Sequence, residues 1–93
     1  VESAAETDQL TGLANRRRLK QYLDALVTVY PDQRRPFSVI LLDVDNFKFY
    51  NDTHGHLAGD VVLETLAAVL SASLRRGDLA ARFGETYLHL KKD

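Results

Sequence analysis

The sequence predicts an α/β sandwich in which one strand and a β-hairpin are flanked by helices. Three features predict it: an apolar helical stripe early in the chain, a short apolar run that ends in carboxylates, and two short strand-like segments around a glycine turn. The predicted order is helix, strand, helix, hairpin. With 93 residues, the chain is at most one small domain.

The first helix is predicted from Arg16 to about Tyr30. Apolar side chains recur in it at three- and four-residue spacing, namely Leu19, Tyr22, Leu23, Leu26 and Tyr30. Asn15 is a good N-cap directly before this stripe. The proline-containing segment Pro31–Pro36 is predicted to end the helix.

A buried strand is predicted over Phe37–Leu42, because this apolar run contains the β-branched residues Val39 and Ile40. We expect it to be covered on both faces. The run ends in Asp43 and Asp45, and carboxylates at the end of a buried strand are costly unless they are paired. Mg²⁺ carrying a polyphosphate is a natural partner, since it prefers a few carboxylates plus phosphate oxygens.

A polar, glycine-punctuated turn follows the strand, and Asp60 is predicted to cap a second helix from Val61 to about Leu74. The predicted buried face of this helix consists of Leu63, Leu66, Ala67, Leu70 and Leu74. Two short strands, Leu79–Phe83 and Tyr87–Leu90, are predicted around a turn at Gly84.

Net charge, cysteine content and hydropathy exclude several classes of function. The net charge is −1, so no basic field indicates a nucleic acid polymer as partner. The absence of cysteine excludes disulfides and thiolate metal sites. We find no apolar run of membrane-spanning length and no signal-peptide layout. We therefore expect a cytoplasmic domain that meets a membrane only through neighbouring domains.

Ordered and correctly spaced motifs run through the chain. They are Asp8–Leu13, Asn15–Arg17, Asp43–Asp45, Phe47–Lys48, Asn51–Asp52, Gly55–His56 and Gly59–Asp60. At these residues the chain resembles the GGDEF family, the bacterial diguanylate cyclases that make cyclic di-GMP from two GTP. The resemblance implies a ferredoxin-like, polymerase-palm-like core, and it covers the first part of a domain that usually runs longer. Residues 1–6 are then a linker or the end of an upstream helix, and residues 7–93 a partial GGDEF domain.

The resemblance implies roles for individual residues. Asp43 corresponds to a carboxylate that binds Mg²⁺ (or Mn²⁺), Asn51 and Asp60 to the pair that reads guanine, and Lys48 to a phosphate contact. Plainer interpretations stand beside these: Asp43 is a solvated strand-end carboxylate, Asp60 is a helix cap, and Lys48 is a surface lysine.

Arg75 and Asp78 match the family's RxxD motif, an inhibitory site for the product, cyclic di-GMP. An arginine suits phosphate or the Hoogsteen edge of guanine, and a carboxylate suits guanine N–H donors. The alternative is an exposed helix end, where a cation complements the helix dipole.

The signature turn departs from the family's Gly-Gly-Asp/Glu-Glu-Phe pattern, because Gly84 is followed by Glu85, Thr86 and Tyr87. Aligned without a gap, Thr86 replaces the acidic residue that joins Asp43 on the metal. Aligned with one residue deleted, Glu85 takes that position and Tyr87 the aromatic one. We predict Asp43 and Glu85 as the catalytic and metal-binding pair.

Three functions remain open at this point. A cyclase-type domain would bind GTP and Mg²⁺ and complete the reaction across a homodimer, with little or no catalysis expected from this chain alone. A degenerate module would bind cyclic di-GMP or GTP as a sensor. A dimerisation scaffold would bind no nucleotide.

Overall fold

The computed structural model describes residues 5–33 and 36–92. Its elements are α1 (Arg16–Gln33), β1 (Phe37–Asp43), α2 (Phe47–His54), α3 (His56–Ser73), β2 (Leu79–Phe83) and β3 (Thr86–Lys92). The three strands form one antiparallel sheet in the order β1-β3-β2. The predicted α/β architecture and the hairpin are confirmed. Most of the predicted linker, residues 1–4, lies outside the described residues.

Helix α1 begins as predicted, since the Asn15 side chain accepts a hydrogen bond of 3.0 Å from the backbone N–H of Arg18. As predicted, α1 ends within the proline-containing segment, at Gln33 rather than near Tyr30. A proline removes one helical hydrogen bond, and only two residues of α1 follow it, so the helix tolerates the loss. The side chain of Tyr30 lies outside the described residues.

The hairpin is packed on both faces, because successive side chains of a strand point to opposite sides. On one face, Leu19 of α1 packs with Ala81 and Leu90. On the other face, α3 packs on β2 and β3 through a cluster that includes Leu63, Ala67, Leu70, Ala80 and Tyr87. The buried hydroxyl of Tyr87 donates a 2.6 Å hydrogen bond to the carbonyl of Leu63 and so ties β3 to α3.

A second helical segment, α2, replaces the expected polar turn. Asn46, with φ 55°, and Gly55, with φ 92°, turn the chain at its two ends. The prediction that Asp60 caps a helix beginning at Val61 is wrong, because α3 begins at His56 and Asp60 lies inside it. Glycine at position 55 favours this, since its left-handed backbone lets one helix follow directly on another.

Helix α3 is long and apolar enough to cross a membrane by length and composition, with 18 residues and a mean hydropathy of 1.2. Its buried residues Leu63, Ala67 and Leu70 nevertheless pack against the sheet, as predicted. This packing is typical of a core helix in a globular domain. Leu66, which was predicted to be buried, is 38% exposed.

Strand β1 is exposed along its whole length, so the prediction that it is covered on both faces is wrong for the described residues. The reason is its position at the edge of the sheet, whereas the described parts of α1 and α3 pack on the hairpin. An apolar groove of about 480 Å³ lies between β1 and α3, lined by Leu42, Asp43, Val44, Leu66, Val69, Leu70, Ser73 and Tyr87.

Candidate functional site

Helices α2 and α3 enclose a small polar site around the Asn51 amide. The Asn51 side chain packs against Gly59, and its oxygen Oδ1 is buried with no hydrogen-bond partner among the described residues. A buried polar group without a partner typically costs about 1–3 kcal/mol. An unsatisfied acceptor at this position is suited to a ligand that brings an N–H group.

Gly59 is required at this site for space. A Cβ atom built on Gly59 would lie 1.7 Å from Oδ1 of Asn51 and 3.2 Å from Cζ of Phe47. Any side chain at position 59 would therefore displace the amide. The Asn51 side chain therefore contacts the residue directly before Asp60, which is the other member of the predicted guanine-reading pair.

Asp60 is half-buried in the first turns of α3. The hydrogen bond from Arg82 to Asp8 and the charge of Asp8 raise the pKa of Arg82, and the nearby Tyr87 and Asp60 add smaller contributions in the same direction.

Asp43 lies at the exposed end of β1, directly across from Thr86. The hydroxyl of Thr86 donates a 3.1 Å hydrogen bond to Oδ1 of Asp43. Glu85 occupies the exposed two-residue turn with Gly84, and its backbone carbonyl accepts a 3.1 Å hydrogen bond from the N–H of Val44. The residue that faces Asp43 is therefore Thr86, while Glu85 is held beside the following residue.

A glycine with φ 58° begins the turn, and Phe83 pairs with Thr86 on either side of it. This is the position at which a tight hairpin turn most readily takes glycine. The length of the turn sets the register, and the register places Thr86 opposite Asp43. Lys48 lies exposed in the first turn of α2. Across residues 5–33 and 36–92, no group of three or more His, Cys, Asp or Glu side chains is arranged to hold a metal ion.

A buried ion pair clasps the hairpin turn to the N-terminal segment. The guanidinium of Arg82 binds both carboxylate oxygens of Asp8, at 2.8 and 2.9 Å, and it also donates to the carbonyl of Gly84. The two side chains are only 14% and 15% exposed. Asp8 in turn accepts hydrogen bonds from the backbone N–H and the hydroxyl of Thr11.

The clasp changes the ionisation of both partners. Burial by itself raises the pKa of Asp8, but the hydrogen bonds from Arg82 and Thr11 outweigh it and leave that pKa below its ordinary value. The sequence did not reveal this pair, since 74 positions separate its members. The signals available were that Asp8 begins one of the recognised motifs and that Arg82 lies two residues before the glycine of the hairpin turn.

The Arg75–Asp78 turn lies between α3 and β2, and Arg75 is exposed. The Asp78 side chain points inward, where Oδ2 lies 3.0 Å from Nε2 of the buried His89. Arg75 and Asp78, predicted as a product-binding site, lie in one turn. The prediction missed His89, because a lone histidine in a strand pattern carries no signal of its partner.

Comparison with known proteins identifies the arrangement. Residues 5–90 match the family profile described as diguanylate cyclase, GGDEF domain. The chain belongs to the GGDEF family. It is 48% identical to the response regulator PleD of Caulobacter vibrioides over 80 residues, which cover 86% of this chain and 18% of PleD.

Two further similarities place this GGDEF domain among its relatives. It is 45% identical over 80 residues to the diguanylate cyclase DgcP of Pseudomonas aeruginosa, covering 86% of this chain and 12% of DgcP. Its fold matches the coiled-coil and GGDEF structure of DgcB from Caulobacter crescentus in complex with c-di-GMP, with a TM-score of 0.93 and 33% identity, over 98% of this chain and 48% of that one.

The chain spans less than a fifth of the length of PleD and DgcP, and about half of the DgcB chain. The predicted partial GGDEF fold is therefore confirmed. The matched segment contains every candidate site residue, from Asp43 to Glu85.

Proposed function

We propose that this chain is the guanine-binding part of a diguanylate cyclase-type domain in cyclic di-GMP signalling, and that it turns over GTP poorly by itself. The observation that carries the proposal is the Asn51 amide, buried against Gly59 with an unsatisfied oxygen. Guanine presents N1–H and N2–H donors that complement such an acceptor and a nearby carboxylate, Asp60. Adenine lacks this pair of adjacent donors, so the site favours GTP over ATP.

The proposed metal-binding residues, Asp43 and Glu85, suit nucleotide binding better than catalytic turnover. Mg²⁺ is commonly held by one or two carboxylates together with substrate phosphates, and the exposed Asp43 fits that pattern. Asp43 and Glu85 would hold the ion, which when bound neutralises triphosphate charge. Thr86 occupies the position that faces Asp43 and carries no charge. We therefore expect weaker binding of the metal ion and of the triphosphate.

The remaining residues support nucleotide positioning. Lys48 is exposed on α2, the helix that also carries Asn51. We assign its charged amino group to a contact with phosphate. Because cyclic di-GMP contains two nucleotides, a complete reaction needs two such domains, so we propose a homodimer with one GTP in each subunit. We place the domain in the cytoplasm, where GTP is available.

A second binding function rests on the turn that follows α3. Arg75 and Arg76 are exposed there. Arginine forks recognise phosphate and the Hoogsteen edge of guanine. We propose that cyclic di-GMP binds at this turn, as the RxxD pattern predicts.

The test of the guanine site is a calorimetric titration of the chain with GTP and with ATP in the presence of Mg²⁺. We expect selective GTP binding that is weakened at least about tenfold by Asn51→Ala, since one well-placed hydrogen bond to a buried group is worth about 1.4 kcal/mol or more. Asp52→Ala, at the exposed neighbour on α2, is the matched control and leaves the affinity unchanged.

Equal affinities for GTP and ATP, or an Asn51→Ala variant that binds as tightly as the wild type, would overturn the proposal. Chromatography of the same mixtures for cyclic di-GMP tests turnover separately. Efficient product formation by the wild-type chain would contradict the assignment of weak catalysis to Thr86.

A further inference from the structure

His89 is a buried histidine that connects the sheet to the product-binding turn. It lies on β3 between Ala80 of β2 and Ile40 of β1, on the same face as Tyr87. Its Nε2 atom lies 3.0 Å from Oδ2 of Asp78, and the two side chains are 7% and 2% exposed. This is the face that packs against α3, so His89 reaches from the core of the domain to the end of that helix.

The turn is held from several directions at once. The backbone N–H of Arg75 donates to Oδ2 of Asp78 at 3.1 Å, and the N–H of Asp78 donates to the carbonyl of Arg75 at 2.9 Å. From the opposite face of the sheet, the hydroxyl of Tyr22 on α1 donates to the carbonyl of Gly77. The turn is therefore a junction of α1, α3 and the hairpin rather than a free surface loop.

The orientation of Asp78 has a consequence for ligand binding. Its carboxylate is almost completely removed from solvent, while Arg75 and Arg76 are exposed. A guanine base that bonds this carboxylate has to take it away from His89. In the described conformation only the arginines are available to a ligand.

We infer that His89 is a positioning residue that holds Asp78 inward and so restricts the turn to recognition of a cyclic dinucleotide by its arginines. This inference rests on the proposed binding of cyclic di-GMP at the turn. It deepens that proposal, because it makes the affinity for cyclic di-GMP depend on the orientation of the Asp78 side chain. When a binding-competent state is only partly populated, the apparent affinity falls by that fraction. Removing His89 removes the contact from the sheet and leaves the carboxylate held within the turn itself, by the N–H of Arg75 among others, so that it can turn outward and add a guanine contact.

The experiment measures cyclic di-GMP affinity for a double-mutant cycle of His89→Val and Asp78→Asn in the 93-residue chain. We expect His89→Val to bind cyclic di-GMP about tenfold more tightly than the wild type. Asp78→Asn changes the wild-type affinity by less than about twofold, but in the His89→Val background it abolishes the gain. His89→Gln keeps a donor in place and retains the wild-type affinity.

Three further variants and one spectrum separate positioning from general damage. Arg75→Ala abolishes binding in both backgrounds, and His54→Gln, at an exposed histidine on α2, changes nothing. The chain has three histidines, of which His54 and His56 are exposed. A slowly exchanging ring N–H in the nitrogen-15 spectrum is therefore expected from His89 alone, and it disappears in His89→Val.

A folded His89→Val variant with unchanged or weaker cyclic di-GMP binding would overturn the inference. So would a tenfold loss on Asp78→Asn in the wild type, a result that remains available even where His89→Val does not fold. Titration with GTP on the same samples reports the guanine site independently. If the wild type binds GTP but His89→Val shows no gain in cyclic di-GMP affinity, only the role of His89 is refuted. If the wild type does not bind GTP, the proposed function itself is refuted.

Discussion

The proposed guanine side, at Asn51 and Gly59, and the hairpin side, at Arg82 and Thr86, differ in what their polar groups are bound to. On the guanine side, the buried oxygen of Asn51 has no partner among the described residues, and Gly59 leaves the space it occupies. On the hairpin side, Arg82 is bound to Asp8, and Thr86 is bound to Asp43. The first side therefore has an acceptor left over for the proposed ligand, while the named groups of the second are bound within the protein.

Under the proposed function, this difference makes recognition of the base and binding of the metal and phosphates two separable tasks. The guanine side depends on local contacts between neighbouring helices. The hairpin side depends on pairing across the sheet and on a clasp to the N-terminal segment. Substitutions can therefore damage or repair one side and leave the other in place.

The largest expected effect is on the clasp. Asp8→Ala removes two charge-assisted hydrogen bonds from the partly buried guanidinium of Arg82, and a hydrogen bond to a charged group is typically worth about 1.5–3 kcal/mol. We expect this loss in the free energy of unfolding from urea titration, while the folded fraction retains its GTP affinity.

The exposed pair Lys20–Asp24, at 3.2 Å with side chains 78% and 68% exposed, is the matched control. Asp24→Ala is expected to stay within about 0.5 kcal/mol of the wild type, because solvent screens such pairs. Equal losses in Asp8→Ala and Asp24→Ala would show that the clasp contributes no more than a surface ion pair.

The converse change damages the guanine side. Gly59→Ala places a methyl group where the Asn51 amide lies, so we expect GTP binding to fall by at least about tenfold and stability to fall by about 1–3 kcal/mol. Calorimetric titration and thermal unfolding measure the two effects.

Gly12→Ala is the control for this substitution, because Gly12 has φ 77° but open space around its Cβ position. It loses stability through backbone strain alone and keeps its GTP affinity. If Gly59→Ala binds GTP like the wild type, the Asn51 amide does not contact the base.

A smaller effect is expected from repairing the hairpin side. Thr86→Glu puts a second carboxylate opposite Asp43, where like charges facing each other cost up to about 1 kcal/mol. Mg²⁺ reverses this penalty, so the unfolding midpoint of Thr86→Glu rises with added Mg²⁺. Thr86→Gln has the same shape without the charge and is expected to show no such rise. A Mg²⁺ response in the wild type that is abolished by Glu85→Gln and unchanged by Thr86→Glu would instead assign the metal to Glu85.

The smallest effect is the acid dependence of the clasp. The pKa of Asp8 is lowered on folding, so its contribution to stability is fully present well above the unfolded value of about 3.9. It is lost as the pH falls through the folded value. In urea titrations, the stability difference between the wild type and Asp8→Asn is expected to shrink below about pH 4. A difference that stays constant into acid would contradict a charge-based clasp.

Most of the local structure was predictable from the sequence. The Asn15 cap, the strand Leu79–Phe83 and the apolar face of α3 follow from short-range capping, alternation and helical periodicity, which a few neighbouring residues determine. The helix boundaries were less accurate. Helix α1 ends at Gln33 rather than near Tyr30, and α3 begins before Asp60, because a helix extends as far as its packing and its backbone turns allow.

The family and the positions of the candidate site residues were also within reach of the sequence, since ordered motifs carry them. The partners of those residues were decided only by the tertiary structure. A two-residue turn sets the register that puts Thr86, rather than Glu85, across from Asp43. The choice between these two alignments was not available from the residue order.

The sequence by itself determined the family and the elements other than α2, because periodicity and turn chemistry act over a few residues. The tertiary structure decided that Arg82 binds Asp8, that His89 binds Asp78, and that β1 lies exposed at the edge of the sheet. The physical reason is distance along the chain. Pairs of charges separated by many positions meet only when the sheet register and the helix packing bring them together, and no local pattern encodes that meeting.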